Sequence, residues 1–288
     1  MGRIGRGWAL TKQSWSVVRA DRSLLLFPVV AAVSAIVVGA VFFGVGAGVG
    51  AASDSFWAAA PFLVVGVYAL IVVGQFAAVA LAACATAALD GRDTTFGEGV
   101  AAARSRLTVI LQWSLVQLVV GSLISAIQAA LREGVGSLIS SIVGGILNAS
   151  WSVATFFVVP VIALDGLGPR EAFKRSAGVV RDRWGEGVVG SATIGGAIFL
   201  AGILPGALVV FLGVLLAASA PAAGIVLIAL GVLVIVFAVL LQATLSAVFR
   251  VALYRFATVG DAPGSFSEAQ LAGAFMPKKR RGGGLFGR

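Results

Sequence analysis

Long stretches without a charged side chain alternate along this chain with short segments that carry nearly all of its charge. The uncharged runs are Ser23–Ser53, Ser55–Leu89, Leu107–Leu131, Gly134–Leu164 and Gly187–Phe249. A bilayer's hydrocarbon layer of about 30 Å takes roughly 20 helical residues to cross. Each of the first four runs is long enough for one crossing and too short for two. The fifth holds two, divided near Ala218–Ala222, where Pro221 marks a turn. The pattern predicts an all-α, polytopic transmembrane bundle of about six spans.

A second pattern lies in the charged segments. Ile4, Trp8, Thr11, Trp15 and Val18 recur at alternating spacings of four and three, which places them on one helical face. Arg3, Arg6, Lys12 and Arg19 lie mostly off that face. Tryptophan beside basic residues at a membrane boundary suits a helix lying in the headgroup plane. The segment Pro169–Trp184 begins with Pro169 and Glu171, both suited to a helix start. Such segments are expected to form a collar on one membrane face.

The spans are also ordered by an internal repeat. "ALDG" closes a span at Ala88–Gly91 and again at Ala163–Gly166, and a looser "TVGD" follows the last span at Thr258–Asp261. "KQSWSVVR" (Lys12–Arg19) and "KRSAGVVR" (Lys174–Arg181) share Lys, Ser, Val, Val and Arg in register. The middle counterpart, "FGEGVAAARSR" (Phe96–Arg106), shares only small and basic character. The expected unit is a short amphipathic helix, a span out, a tight turn, a span back and an acidic or glycine-containing corner. Three parallel copies, over about residues 4–91, 92–166 and 167–261, account for six spans. One transmembrane domain then covers 1–276, followed by a flexible basic tail, 277–288, with Lys278, Lys279, Arg280 and Arg281 in succession.

Charge adds orientation. Every Lys and Arg except Arg132 falls on the side that holds the N-terminus, the second and fourth loops and the tail. Positive charge resists translocation, so both termini are expected in the cytoplasm of a multi-pass cell-membrane protein. The net charge of +9 and pI near 11 are spread over one membrane face rather than gathered in a soluble domain. The expected partner is anionic lipid at the cytoplasmic side, with the tail as an anchor, and not nucleic acid. A protein-docking role for the tail is the alternative. Composition agrees: 59% of the residues are hydrophobic, 11% are charged, and mean hydropathy is +1.05, whereas soluble domains carry about 25% charged residues. "VGAASDS" offers a possible signal-peptide cleavage site after the first run, but that run is about twice a signal peptide's apolar region.

Candidate chemistry is sparse. Histidine is absent, which removes the commonest general base and metal ligand, and the single Cys84 allows no intramolecular disulfide. No catalytic set, metal site or cofactor is expected. Asp90, Asp165 and Asp261 at the repeat corners suit helix ends and turns. Alternatively, they converge at the rim to hold a cation or polar headgroup. No ionisable residue is expected inside a span. The polar residues Gln75, Asn148 and Gln242 either bond between helices, with Gln75 facing Gln242, or line a path for a headgroup or solute. Gly136, Ser140, Gly144, Asn148 and Ser152 make a flat stripe on the fourth span. Gly44/Gly48, Gly46/Gly50 and Gly202/Gly206 offer further close helix approaches. Pro28, Pro160 and Pro205 predict kinks.

The segments "SWSVVRADRSLLLFPVV" and "WSVATFFVVPVIALDGLGPREAFKRSAGVVRDRWGE" resemble an uncharacterised prokaryotic six-span membrane family, a domain of unknown function. A more distant similarity is to the membrane domain attached to glycerophosphodiester phosphodiesterases. The resemblance implies architecture and membrane location, without a catalytic domain. Two functions fit the residues: a membrane-structural or regulatory protein working through its cytoplasmic face, or a passive or partner-energised permease or lipid-handling protein.

Overall fold

A computed structural model describes residues 14–19, 21–183, 196 and 198–260. Among these residues the fold is entirely helical. Residues 14–19 are helical, and a 3-10 turn at Arg22–Leu25 leads into α1 (Leu26–Ser53). Then come α2 (Phe56–Leu89), α3 (Phe96–Ser105), α4 (Leu107–Val135), α5 (Ser137–Ala154), α6 (Val158–Leu164) and α7 (Pro169–Arg183). A π turn at Phe199–Ile203 opens α8 (Leu204–Ala217), and α9 (Pro221–Val259) closes the described chain. Among the described residues six helical stretches are long and apolar enough to cross a membrane: Ser23–Ser53, Phe56–Leu89, Leu107–Gly134, Ser137–Leu164, Phe199–Ala217 and Pro221–Val259.

The spans pack as hairpins, α1 on α2, α4 on α5 and α8 on α9. The turns at their far ends, here called distal, are tight. Asp54 takes a left-handed conformation, φ 48°, between α1 and α2, and Gly136 takes φ 94° between α4 and α5. Pro221 divides the fifth run as expected, standing at the first position of α9, where a missing N–H costs no helical bond.

The other, basal end holds the core. At 34 and 39 residues, α2 and α9 are about 51 and 58 Å long, well beyond a hydrocarbon layer of about 30 Å. Their burial divides accordingly. In the distal halves only small residues on the hairpin seam are buried, such as Ala59 and Gly66 in α2 and Gly224 and Gly231 in α9. Toward the base nearly every turn is buried, from Val79 to Leu89 and from Thr244 to Ala257. Many other distal side chains, Val45, Leu138, Leu215 and Val226 among them, are exposed apolar groups, as lipid-facing positions are. α2 is the central post and touches α1, α3, α4, α6 and α9.

The α8–α9 hairpin is glycine-cut. A Cβ on Gly231 would lie 2.7 Å from the backbone N of Val210 and 2.8 Å from the Gly206 carbonyl O. Gly213 and Gly224 meet similar obstruction from Ile228 and Ala217, and Gly202 meets Ala238. The expected Gly202/Gly206 approach is therefore present, but the seam continues through Gly213, Gly224 and Gly231. In the first span, Gly46 and Gly50 pack on α2, whereas Gly44 and Gly48 face open space.

The expected stripe on the fourth span is used only in part. Ser140 and Gly144 are buried against α4, with the Ser140 hydroxyl donating to the Gln128 carbonyl at 2.6 Å. Asn148 and Ser152 are exposed. Pro28 does not act as a kink, because it falls in the first turn of α1. Pro160 lies just past a full break between α5 and α6, and Pro205 is the second residue after the π turn.

Candidate functional site

The polar chemistry of the described residues gathers at the base, around the helix ends that the two "ALDG" corners form. At the first corner the Gly91 N–H bonds to the Ala88 carbonyl and the Arg92 N–H to the Ala87 carbonyl, at 3.1 and 3.0 Å. That is the Schellman pattern, and Gly91 meets its left-handed requirement with φ 72°. Gly166 and Gly260 take φ 66° and 90° at the other two corners.

The capping role leaves the aspartate side chains free to reach sideways. Asp90 Oδ1 accepts from Arg255 Nη1 at 2.6 Å, and Arg92 Nη2 lies 3.6 Å from its other oxygen. Asp165 Oδ2 accepts from the Tyr254 hydroxyl at 2.5 Å. The two corners thus do not converge on each other. They attach to adjacent residues of α9, Tyr254 and Arg255, which project in different directions from one helical turn. Asp261 lies outside the described residues, as do Lys278, Lys279, Arg280 and Arg281.

Arg175 of α7 lies against the Tyr254 hydroxyl. Interaction with the Tyr254 side chain, together with the nearby charge of Asp165, holds its guanidinium above the ordinary arginine range. At the N-terminal edge, Asp21 accepts from the Ser23 N–H at 2.9 Å and from the Thr94 hydroxyl at 2.7 Å. Burial pushes the Asp21 carboxyl up, but these hydrogen bonds outweigh it and hold it below the usual carboxylate value. The loop after α2 is thereby tied to the start of α1. α3 follows behind a capping box in which Thr95 and Glu98 satisfy each other's backbone N–H.

The break in the fourth span is closed by a side chain from another helix. Pro160 has no N–H and crowds the carbonyl four residues back, that of Phe156. The chain there passes through tighter bonds, Phe156 N–H to Val153 O and Val158 N–H to Thr155 O. These displace the usual partners of the Phe157 N–H and the Ala154 carbonyl. The Ser176 hydroxyl of α7 supplies both, accepting from Phe157 at 3.0 Å and donating to Ala154 at 2.7 Å. Rings of Trp113, Trp151 and Phe173 stack alongside, 5.9 and 5.6 Å apart, joining α4, α5 and α7.

A cavity of about 560 Å³ opens between α1, α2, α6 and α9, with Pro28 and Pro160 on its walls. Gln242, Ser246 and Arg250 line it from α9 at spacings of four, so they form one stripe. Arg250 stands just past the end of the uncharged run at Phe249, but α9 continues unbroken through it to Val259. Its guanidinium lies 4.9 Å from the ring centre of Phe156, the residue displaced by the helix break. Gln75 and Gln242 do not bond to each other among the described hydrogen bonds, and Gln75 Oε1 is buried without a partner. Asn148 turns away from the cavity and donates to the Gly144 carbonyl of its own helix at 2.9 Å. The three polar residues singled out from the sequence therefore do not share one cavity. Arg250, Tyr254, Arg255 and Ser176 were missed; a basic residue four positions from Ser246 and eight from Gln242 was the available signal for the first.

Among the described residues, six membrane-length helices with exposed apolar flanks and a polar, interlocked base define a multi-pass α-helical membrane protein. The chain belongs to a family of unknown function (DUF6159), whose sequence model matches residues 59–264. No curated protein and no solved structure matches the chain. Of the two segments that carry the resemblance to an uncharacterised family, the second lies inside the matched range and the first lies outside it. The similarity to the membrane domain of glycerophosphodiester phosphodiesterases has no counterpart among these matches.

Proposed function

We propose that the protein is a cell-membrane protein, with its base and both termini in the cytoplasm, that serves a structural or regulatory role by holding anionic lipid and partner proteins at that face. The observation that carries this reading is the contrast between the two ends. Charged and hydrogen-bonding groups are interlocked at the base, whereas the distal halves carry seams of small residues and apolar flanks. The placement of every described Lys and Arg but Arg132 toward the base supports the orientation. Left-handed glycines at Gly91, Gly166 and Gly260, one after each returning span, support three parallel two-span units. α3 and α7 then serve as the cytoplasmic collar between units. The reading assigns no enzymatic activity. A permease fits less well, because Asn148 and Gln75 do not join Gln242 in a continuous polar path.

Reporter fusions after Ser53, Arg132 and Arg288 test the orientation. An external signal is expected at the first two and a cytoplasmic signal at the third; an external Arg288 overturns the arrangement. The lipid role is tested with nanodiscs holding equal phosphatidylglycerol and phosphatidylcholine, by native mass spectrometry of the released protein. Replacing Lys278, Lys279, Arg280 and Arg281 with Gln is expected to lower the retained phosphatidylglycerol, since each basic residue near an anionic surface contributes about 1 kcal/mol. Equal retention of the two lipids by the wild-type chain counts against the reading.

A further inference from the structure

The cavity beneath Pro28 and Pro160 has a chemistry that the base does not share. Its walls are mostly Ala, Gly, Val, Leu and Pro, and no Asp or Glu among the described residues lines it. One cation, Arg250, faces it. The Nε of Arg250 is enclosed without a hydrogen-bond partner, and no carboxylate among the described residues forms an ion pair with it. The contrast with Arg255, five residues on, is sharp, because that guanidinium holds Asp90 at 2.6 Å. Among the described residues this partly desolvated guanidinium has an aromatic face and no anion beside it.

Depth narrows the anion's identity. Asp54, Arg132 and the exposed Trp57 at the distal turns belong at a membrane interface. From Pro221, about 20 residues of hydrocarbon end near Leu240. Gln242 then marks the inner edge of the hydrocarbon, and Arg250 lies about 12 Å farther along the helix, on the headgroup side. Apolar Val239 and Leu240 line the cavity on the hydrocarbon side of that polar stripe. The order along α9, apolar then amide then hydroxyl then guanidinium, is the order of groups along a lipid from acyl chain to phosphate.

We infer that this cavity holds one acidic phospholipid of the cytoplasmic leaflet, its phosphate on Arg250 and an acyl chain against the α2 and α9 walls. The volume lies within the roughly 300–1,000 Å³ of small-molecule sites and admits part of one lipid rather than several. A net-negative headgroup is specified because the described lining residues offer a cation and no acid to receive the cation of choline or ethanolamine. Gln242 and Ser246 supply donors to the glycerol and ester oxygens. The inference rests on the cytoplasmic placement of the base, which the fusion experiment tests independently.

The test uses the full chain in the same mixed nanodiscs, followed by detergent washing and native mass spectrometry. Wild type is expected to keep one tightly held phosphatidylglycerol, and Arg250→Gln to weaken that retention about tenfold, the loss of a charge-assisted hydrogen bond. Arg250→Lys should restore part of it. Ala243→Phe, which fills the cavity and leaves Arg250 in place, should also release the lipid, and it keeps the test valid where Arg250→Gln fails to fold. Inorganic phosphate added in detergent is expected not to compete, because the apolar walls contribute to binding. Retention unchanged in both Arg250→Gln and Ala243→Phe overturns the site, as does displacement of the lipid by inorganic phosphate. Loss of lipid in the tail variant with retention kept at Arg250 supports both readings, and a site that survives a reversed topology overturns the orientation alone.

Discussion

Gly231→Leu is expected to prevent the α8–α9 hairpin from closing and to cost more than about 3 kcal/mol, the upper end of ordinary overpacking. The obstruction is backbone, the Val210 N at 2.7 Å and the Gly206 O at 2.8 Å, so no rotamer change relieves it. Helices that meet through glycine every seven residues, as at Gly206 and Gly213 against Gly224 and Gly231, depend on that close approach, since lipid offers as much apolar contact as a neighbouring helix does. Gly44→Leu is the control. Nothing lies within 4 Å of its added Cβ, so the same chemical change should leave stability within about 0.5 kcal/mol. Thermal denaturation in detergent with a size-exclusion readout separates the two. Equal melting temperatures would mean that the hairpin seam does not limit stability.

Ser176→Ala is expected to destabilise the protein by about 1–3 kcal/mol, the cost of taking partners from buried backbone groups. Ser176 is fully buried, and its hydroxyl is the bridge across the broken fourth span. Removing it withdraws that bridge from the Phe157 N–H and the Ala154 carbonyl together. The loss should be local first, so hydrogen exchange at Phe157 and Val158 is expected to rise before global melting shifts. Ser141→Ala, whose exposed hydroxyl bonds only to its own helix at Ser137, should change neither measurement. Identical exchange in the two variants would show that the break is closed by packing instead of by Ser176.

These two positions also show what a sequence discloses and what it hides. The Gly231 seam leaves a trace, a seven-residue glycine period on facing helices, although the shorter Gly202/Gly206 spacing draws attention first. Ser176 leaves none. It is one serine in a basic helix, and its role exists only because Pro160, sixteen residues earlier, opens a gap that α7 happens to cross. Asp90 and Asp165 fall between these cases. Their place at helix ends follows from the following glycine, but their partners Tyr254 and Arg255 are distant in the chain and carry no motif.

Arg250 was hidden for a different reason. An uncharged run ends at the first charge, so a run-based boundary stops at Phe249, whereas a helix ends only where its backbone bonding ends. Here α9 continues to Val259, and Gly260 stops it in the left-handed conformation.

The sequence alone determined the number of spans, because hydrocarbon thickness and helical rise convert uncharged length into crossings. It also determined the turn at Pro221 and the glycine corners, since these depend on local backbone sterics. Tertiary structure alone decided which glycines face a neighbour, which serine mends the broken helix, and which arginine faces the cavity. Those properties depend on how helices far apart in the chain are rotated and set against one another, and period along one helix does not carry that rotation.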